Sequence, residues 1–229
     1  MRILQNQKIE SFRDRDSSSV FSNIEFIKCD FQGCALSITR DPALRTVVRG
    51  VKLTNCSQRG CTLHAAIVED SIIEGFKTNG QLFQSWGAVF NRVTLQGDID
   101  RIMVSGAVLP GVLGPDEQRS FDDSNDEYYK KVEWALDISK GNFKELCIRG
   151  VPGHLIRRDR ETQVLVTREK ALTMKWKKLE FRLGILPTSL DMFLQRQESS
   201  TVLVAPKRDK HFGDYLHDLN LLRKAGLAE

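Results

Sequence analysis

Residues 46–85 read TVVRG VKLTN CSQRG CTLHA AIVED SIIEG FKTNG QLFQS, units of five in unbroken register. Their central residues are Val48, Leu53, Gln58, Leu63, Val68, Ile73, Thr78 and Phe83, six of the eight apolar. An α-helix repeats its apolar face every 3.6 residues and a flat strand every 2, so neither explains the period. A coil of four short faces does, because it turns one corner every five residues. In each unit the large central residue and the small first residue point inward and the rest meets water. Gly or Asn at the fifth position tolerates the left-handed backbone of the corner. Stacked coils share hydrogen bonds as parallel strands about 4.8 Å apart. Several are needed, because one coil alone leaves its inner face uncovered.

The rhythm extends outward from this stretch. Upstream, from Ser19, the chain reads SVFSN IEFIK CDFQG CALSI. Aligning residues 24–36 with 51–63, an offset of 27, superposes Cys29 on Cys56, Gly33 on Gly60, Cys34 on Cys61 and Leu36 on Leu63. Downstream, after a two-residue slip at Trp86-Gly87, AVFNR and VTLQG resume it, and it fades through DIDRI. It returns as LDISK, GNFKE and LCIRG, centred on Ile138, Phe143 and Ile148. Phe26, Phe31, Leu53, Leu63, Ile73, Phe83 and Phe143 are thus expected to form one continuous core. A set of unrelated β-hairpins would not keep this register.

CDFQG and CALSI match the pattern of a small residue, often Asp or Asn next, then Leu or Phe, then two free positions. On these motifs the region 19–150 resembles the pentapeptide-repeat proteins, interrupted by insertions. The resemblance implies a mainly β fold, a right-handed parallel β-helix (a pentapeptide-type solenoid). The repeat is a scaffold and carries no chemistry of its own. The best-known members of that family imitate duplex DNA through an acidic surface and bind DNA gyrase. This chain departs from them. Residues 1–153 carry 19 basic and 20 acidic side chains, and residues 154–229 carry 15 and 10.

The expected organisation is a β-helix over 19–153 and a mixed α/β segment over 154–229 packed on it as a cap. Insertions fall at 39–45 (TRDPALR) and 107–131. In the second, Asp116 to Glu127 holds six carboxylates against Arg119 alone. The reading of 115–127 is an acidic solvated loop, with a partner-binding element as the alternative. SNDEYYKKVEWAL then suits a short helix capped by Ser124, Asn125 or Asp126. Beyond His154, TQVLVT and STVLVA read as strands, 168–181 is ambiguous, and Pro187-Thr188-Ser189 opens a short helix. Asp209 caps a last helix with an apolar stripe of Phe212, Tyr215, Leu216, Leu219 and Leu222, ended by Gly226.

Composition narrows the function only by exclusion. The net charge of +4 is too small to imply nucleic-acid or membrane binding. The first 16 residues are polar, unlike a signal peptide, and no run of about 18 apolar residues would span a bilayer. The expectation is a cytoplasmic protein with its five cysteines reduced. Cys29, Cys34, Cys56 and Cys61 have the number and nearly the spacing of a structural zinc site. The same spacing is the repeat period, which stacks them as two apolar ladders instead. Of the four histidines, His64 faces outward, and His211 and His217 share no face. No nucleophile or phosphate motif appears.

Asp98 and Asp100 flank Ile99 in DIDRI, acidic residues of the kind a β-helix hydrolase uses, although a pair at this spacing also arises by chance in a chain with 30 acidic residues. Basic runs at 157–160 and 207–210 suit a phosphate or an acidic partner, or are solvated loops. No catalytic, cofactor-binding or metal-binding residue is therefore assigned. The expected function is a non-enzymatic interaction or scaffold protein whose partner is another protein. The alternatives are a carbohydrate-active or other hydrolytic β-helix enzyme, and a gyrase-binding or immunity-type protein. A concave cleft with convergent carboxylates would favour the enzyme, and a flat face the scaffold.

Overall fold

The structure is a computed structural model that describes residues 1–108, 113–196 and 198–229. Strands dominate it and follow one another in groups. The first group is β1 (Arg2–Gln5), β2 (Lys8–Glu10), β3 (Arg13–Arg15) and β4 (Val20–Ser22). The second is β5 (Ile24–Ile27), β6 (Asp30–Gln32), β7 (Ala35–Ile38) and β8 (Val47–Arg49). Then come β9 (Lys52–Arg59), β10 (Thr62–His64) and β11 (Ile67–Glu69), followed by β12 (Ile72–Lys77), β13 (Phe83–Trp86) and β14 (Val89–Asn91). The long β15 (Val93–Ser105) precedes α1 (Pro115–Tyr129), after which lie β16 (Leu136–Asp137), β17 (Gly141–Ile148) and β18 (Ile156–Arg157).

All of these strands pair in parallel, each with its counterpart in the next group. The central residues therefore stack in ladders. One runs Leu4, Phe26, Leu53, Ile73, Leu95. A second runs Ile9, Phe31, Gln58, a third Leu36, Leu63, Ser85, Val104, Ile148, and a fourth Phe21, Val48, Val68, Phe90. Ser85, not Phe83, thus takes the central place, so the two-residue slip falls before Phe83 and not at Trp86-Gly87, where Gly87 is the left-handed corner. The 27-residue self-match is the pairing register itself: Phe26 pairs with Leu53, Phe31 with Gln58 and Leu36 with Leu63. The fifth-position corners are left-handed at Asn23, Lys28, Gly33, Gly50, Asn55, Gly60, Asp70 and Gly75.

The sheets reach further toward the N-terminus than a rhythm read from Ser19. RILQN, QKIES and FRDRD are three more units, with left-handed Asn6, Ser11 and Asp16 at their ends. Their signal is faint because the third has Asp14 at its inward centre. That carboxylate is buried, accepting from the Ser37 N–H at 3.0 Å and from the hydroxyls of Ser17 and Thr46. Gln58 likewise takes a central apolar place, its side-chain oxygen accepting from the Cys61 N–H at 2.9 Å. Phe143 lies in the main core. Phe26, Phe31, Leu53, Leu63, Ile73 and Phe83 are partly buried against it.

The acidic insertion is not a loop. Residues 115–129 form α1, which starts ten residues before the expected caps, at Gly114, whose N–H donates to Glu117 Oε2 at 2.8 Å. Leu109–Val112 of that insertion lie outside the described residues. Phe121, Asn125 and Tyr129, one per turn, face inward, and the carboxylates take the outer side. Arg45, from the 39–45 insertion, is buried beneath α1. It lies 5.1 Å over the Phe121 ring and donates to Asn125 Oδ1 at 2.5 Å. Burial pushes its guanidinium down to about 10. Tyr128 completes the docking by donating to Glu69 Oε1 at 2.9 Å.

Beyond β18 the chain forms β19 (Gln163–Thr167), α2 (Arg168–Thr173), α3 (Ile185–Gln195), β20 (Ser200–Val204) and α4 (Phe212–Lys224). β19 and β20 pair antiparallel. Alternation decides their placement: Val202 and Val204 enter the core of the parallel sheets, while Val164, Val166 and Leu203 enter a second core with Leu190, Leu219 and Leu222. The last helix is capped at His211, not Asp209, whose carboxylate accepts from the His211 N–H at 2.7 Å. Asp218, fully buried on α4, accepts from the Arg182 and Leu183 N–H groups at 2.8 and 2.9 Å. No described helix is long and apolar enough to cross a membrane.

Candidate functional site

The two cores meet along β20, and beside that junction α3 stands away from the outer face of β17. The gap is a cleft of about 790 Å³. Lys144 and Cys147 of β17 and Arg149 just after it form the floor, with Met103 of β15 beside Cys147 in register. Opposite, α3 contributes Ile185, Thr188, Ser189, Met192 and Arg196 on one face. Pro206, Asp209 and Tyr215 close one end, and Glu198 lies where the chain leaves α3 for β20. Leu82 and Ile185 at the cleft are exposed apolar side chains.

The charges in the cleft are unevenly satisfied. Glu145 is engaged by Arg101 at 3.6 Å, and Glu198 by Arg196 at 3.9 Å. Burial pushes the Glu198 carboxyl up, opposed by the Gly150 N–H and by the charges of Arg196 and Arg149. Tyr215 is pushed up by burial and by Asp209 and Glu145. Arg149 meets no described carboxylate within ion-pair distance, and the contact of its Nη2 with Met192 Sδ spans 3.8 Å. The cleft thus sets the Arg149 cation on its floor between Met103 and, from α3, Met192 and Ile185, which suits an apolar ligand carrying an acid.

The residues singled out in the sequence lie elsewhere. Cys29 stacks on Cys56 and Cys34 on Cys61. Three of the four thiols donate to a carbonyl one layer below: Cys29 to Leu4 at 3.3 Å, Cys56 to Phe26 at 3.3 Å and Cys34 to Ile9 at 3.4 Å. Among the described residues no three His, Cys, Asp or Glu side chains gather where they could hold a metal ion. Asp98 and Asp100 do not point to a reaction centre. Arg208 bridges them at 4.0 and 3.2 Å, and Asp100 also accepts from the Thr78 N–H.

The basic runs are correspondingly structural in part. Lys207 pairs with Asp159 at 2.9 Å, and Arg157 lies 4.2 Å over the Trp134 ring. His64 accepts or donates with Thr62 Oγ1 at 2.9 Å, and burial followed by the charges of Arg13 and Arg15 holds its pKa down. The cleft residues were missed because they come from four elements separated by tens of residues. The only local signal was Arg149 at an outward place in LCIRG. Comparison with known proteins gives no match: no family model fits the chain, and no curated protein or solved structure is significantly similar to it.

Proposed function

We propose that this chain is a non-enzymatic protein-interaction module, a right-handed pentapeptide-type β-helix capped by the α/β segment 154–229. The frame is supported by four parallel ladders and by left-handed corners at five-residue intervals. The partner is a protein, and an extended segment of it lies in the cleft between β17 and α3. The observation that carries this reading is the cleft's make-up: exposed Leu82 and Ile185, two methionines, and Arg149, which meets no described carboxylate within ion-pair distance. Aromatic and methionine side chains with an arginine are the usual anchors of such contacts.

Selection from a random peptide library tests it. Wild-type protein should enrich peptides with an apolar residue beside an acidic one, and Ile185→Asp and Arg149→Ala should each lose them at unchanged melting temperature. Absence of enrichment overturns the reading. One observation favours the hydrolase instead: Glu198 is a carboxyl with its proton affinity raised inside a concave site. That reading requires turnover of a polar substrate abolished by Glu198→Gln, whereas the interaction reading leaves peptide binding by that variant within about threefold.

A further inference from the structure

β1, β2, β3 and β4 form the first layer of the four ladders, and among the described residues each has a strand neighbour on one side only. Their other edges carry backbone donors and acceptors with no strand opposite. This layer also gathers exposed apolar side chains: Ile3 is 57%, Phe12 44% and Val20 60% exposed. The opposite end of the ladders is covered by Val202 and Val204 of the chain's own β20. An inward carboxylate on an edge strand ordinarily repels pairing, but Asp14 is already satisfied within its own chain.

On the β-helix reading given above, we propose that this layer pairs with the same layer of a second copy, end to end about a two-fold axis. Four strands round a square allow four such axes, and the charges discriminate among them. An axis through the faces of β1 and β3 sets Arg13 opposite Arg15 of the second copy, twice. An axis through the corner between β2 and β3 sets Lys8 against Arg15 as well as Glu10 against Arg13, so that each attraction is offset by a repulsion. The other corner axis brings no opposite charges together. Only the axis through β2 and β4 pairs KIE with itself about Ile9, placing Lys8 opposite Glu10 of the second copy and Glu10 opposite its Lys8. There β1 meets β3, so that Ile3 faces Arg15 and Gln5 faces Arg13, with no like charges opposed. Lys8 and Glu10 are both exposed and already 2.7 Å apart within one strand, so their heads lie on the required face. Opposite charges directly across an antiparallel pair stabilise it and like charges oppose it.

Sedimentation velocity over a range of protein concentrations tests the pairing. The wild type should form a dimer, and K8E and E10K should each weaken it about tenfold or more, because each makes both cross-pairs repulsive. An equimolar mixture of K8E and E10K restores attraction in both cross-pairs and should recover the dimer, as should the double variant K8E/E10K. A wild type that stays monomeric at about 100 μM overturns the proposal. So does a dimer that K8E leaves unchanged. Hydrogen exchange on the same samples separates this from failure of the frame. Protected amides in β5, β9 and β12 with no dimer reject the pairing alone, whereas unprotected ones reject the β-helix.

Discussion

Gly33 and Gly75 occupy equivalent corners, both left-handed, yet they face different surroundings. A side chain at Gly33 would meet nothing within 4 Å, whereas one at Gly75 would stand 2.5 Å from Asn55 Oδ1. Gly33→Ala should therefore cost only the backbone strain, about 1 kcal/mol, and Gly75→Ala clearly more, read from chemical denaturation. Lys28 holds the same left-handed conformation without being glycine (φ 52°). Lys28→Gly should accordingly gain up to about 1 kcal/mol. The thiols give a second prediction at this scale. Burial pushes Cys56 and Cys61 above the ordinary thiol value of 9.0. Because the folded state prefers the protonated thiol, its contribution to stability is complete below pH 9 and is lost as pH rises through the folded-state values. Titration with a thiol reagent at pH 8 should find these two unreactive until the protein unfolds, and melting temperature should fall above pH 9.

Burial of the core phenylalanines deepens from the open end of the ladders to the covered one. Phe143, near the covered end, is 1% exposed, while Phe26 and Phe31 near the open end are only partly buried, their rings 5.3 Å apart edge to face. Phe143→Ala should cost about 3–5 kcal/mol and Phe26→Ala distinctly less, by the same denaturation measurement. The period-five strands were legible because each unit carries its own inward and corner residues within five positions. The part of α1 before Ser124 was not, since its carboxylates dominate the reading, although Phe121, Asn125 and Tyr129 at intervals of four are the trace of a buried helix face. The early strands β1–β3 were hidden by one substitution, Asp14 at an inward centre, whose partners Ser37 and Thr46 are more than twenty residues away. Beyond Arg149 at an outward place in LCIRG, the cleft had no sequence signature. It exists because the antiparallel pair β19–β20 serves two cores, and Leu186, Leu190 and Phe193 pack α3 into the second of them.

For the whole molecule, the parallel register means that, apart from the bonds of α1 to Arg45, Glu69 and Gly106, the strands of each layer are joined only to neighbouring layers, since Leu53 pairs with Phe26 and Ile73 but with no strand beyond them. Stability is then a chain of nearest-neighbour terms. The weakest link is the open end, where the edge strands and the half-buried phenylalanines lie. Tension applied between the two termini should therefore peel the protein from β1 onward, like tape from a roll, and not shear it as a block. Each layer released between Leu53 and Ile73 frees 20 residues, about 65–70 Å of contour length. An optical trap should record a staircase of steps near that size, with the step that frees β5 to β8 longer by the seven residues of the 39–45 insertion. The protein would behave as a graduated mechanical fuse, in which the chain length between one turn and the next sets the spacing of the marks.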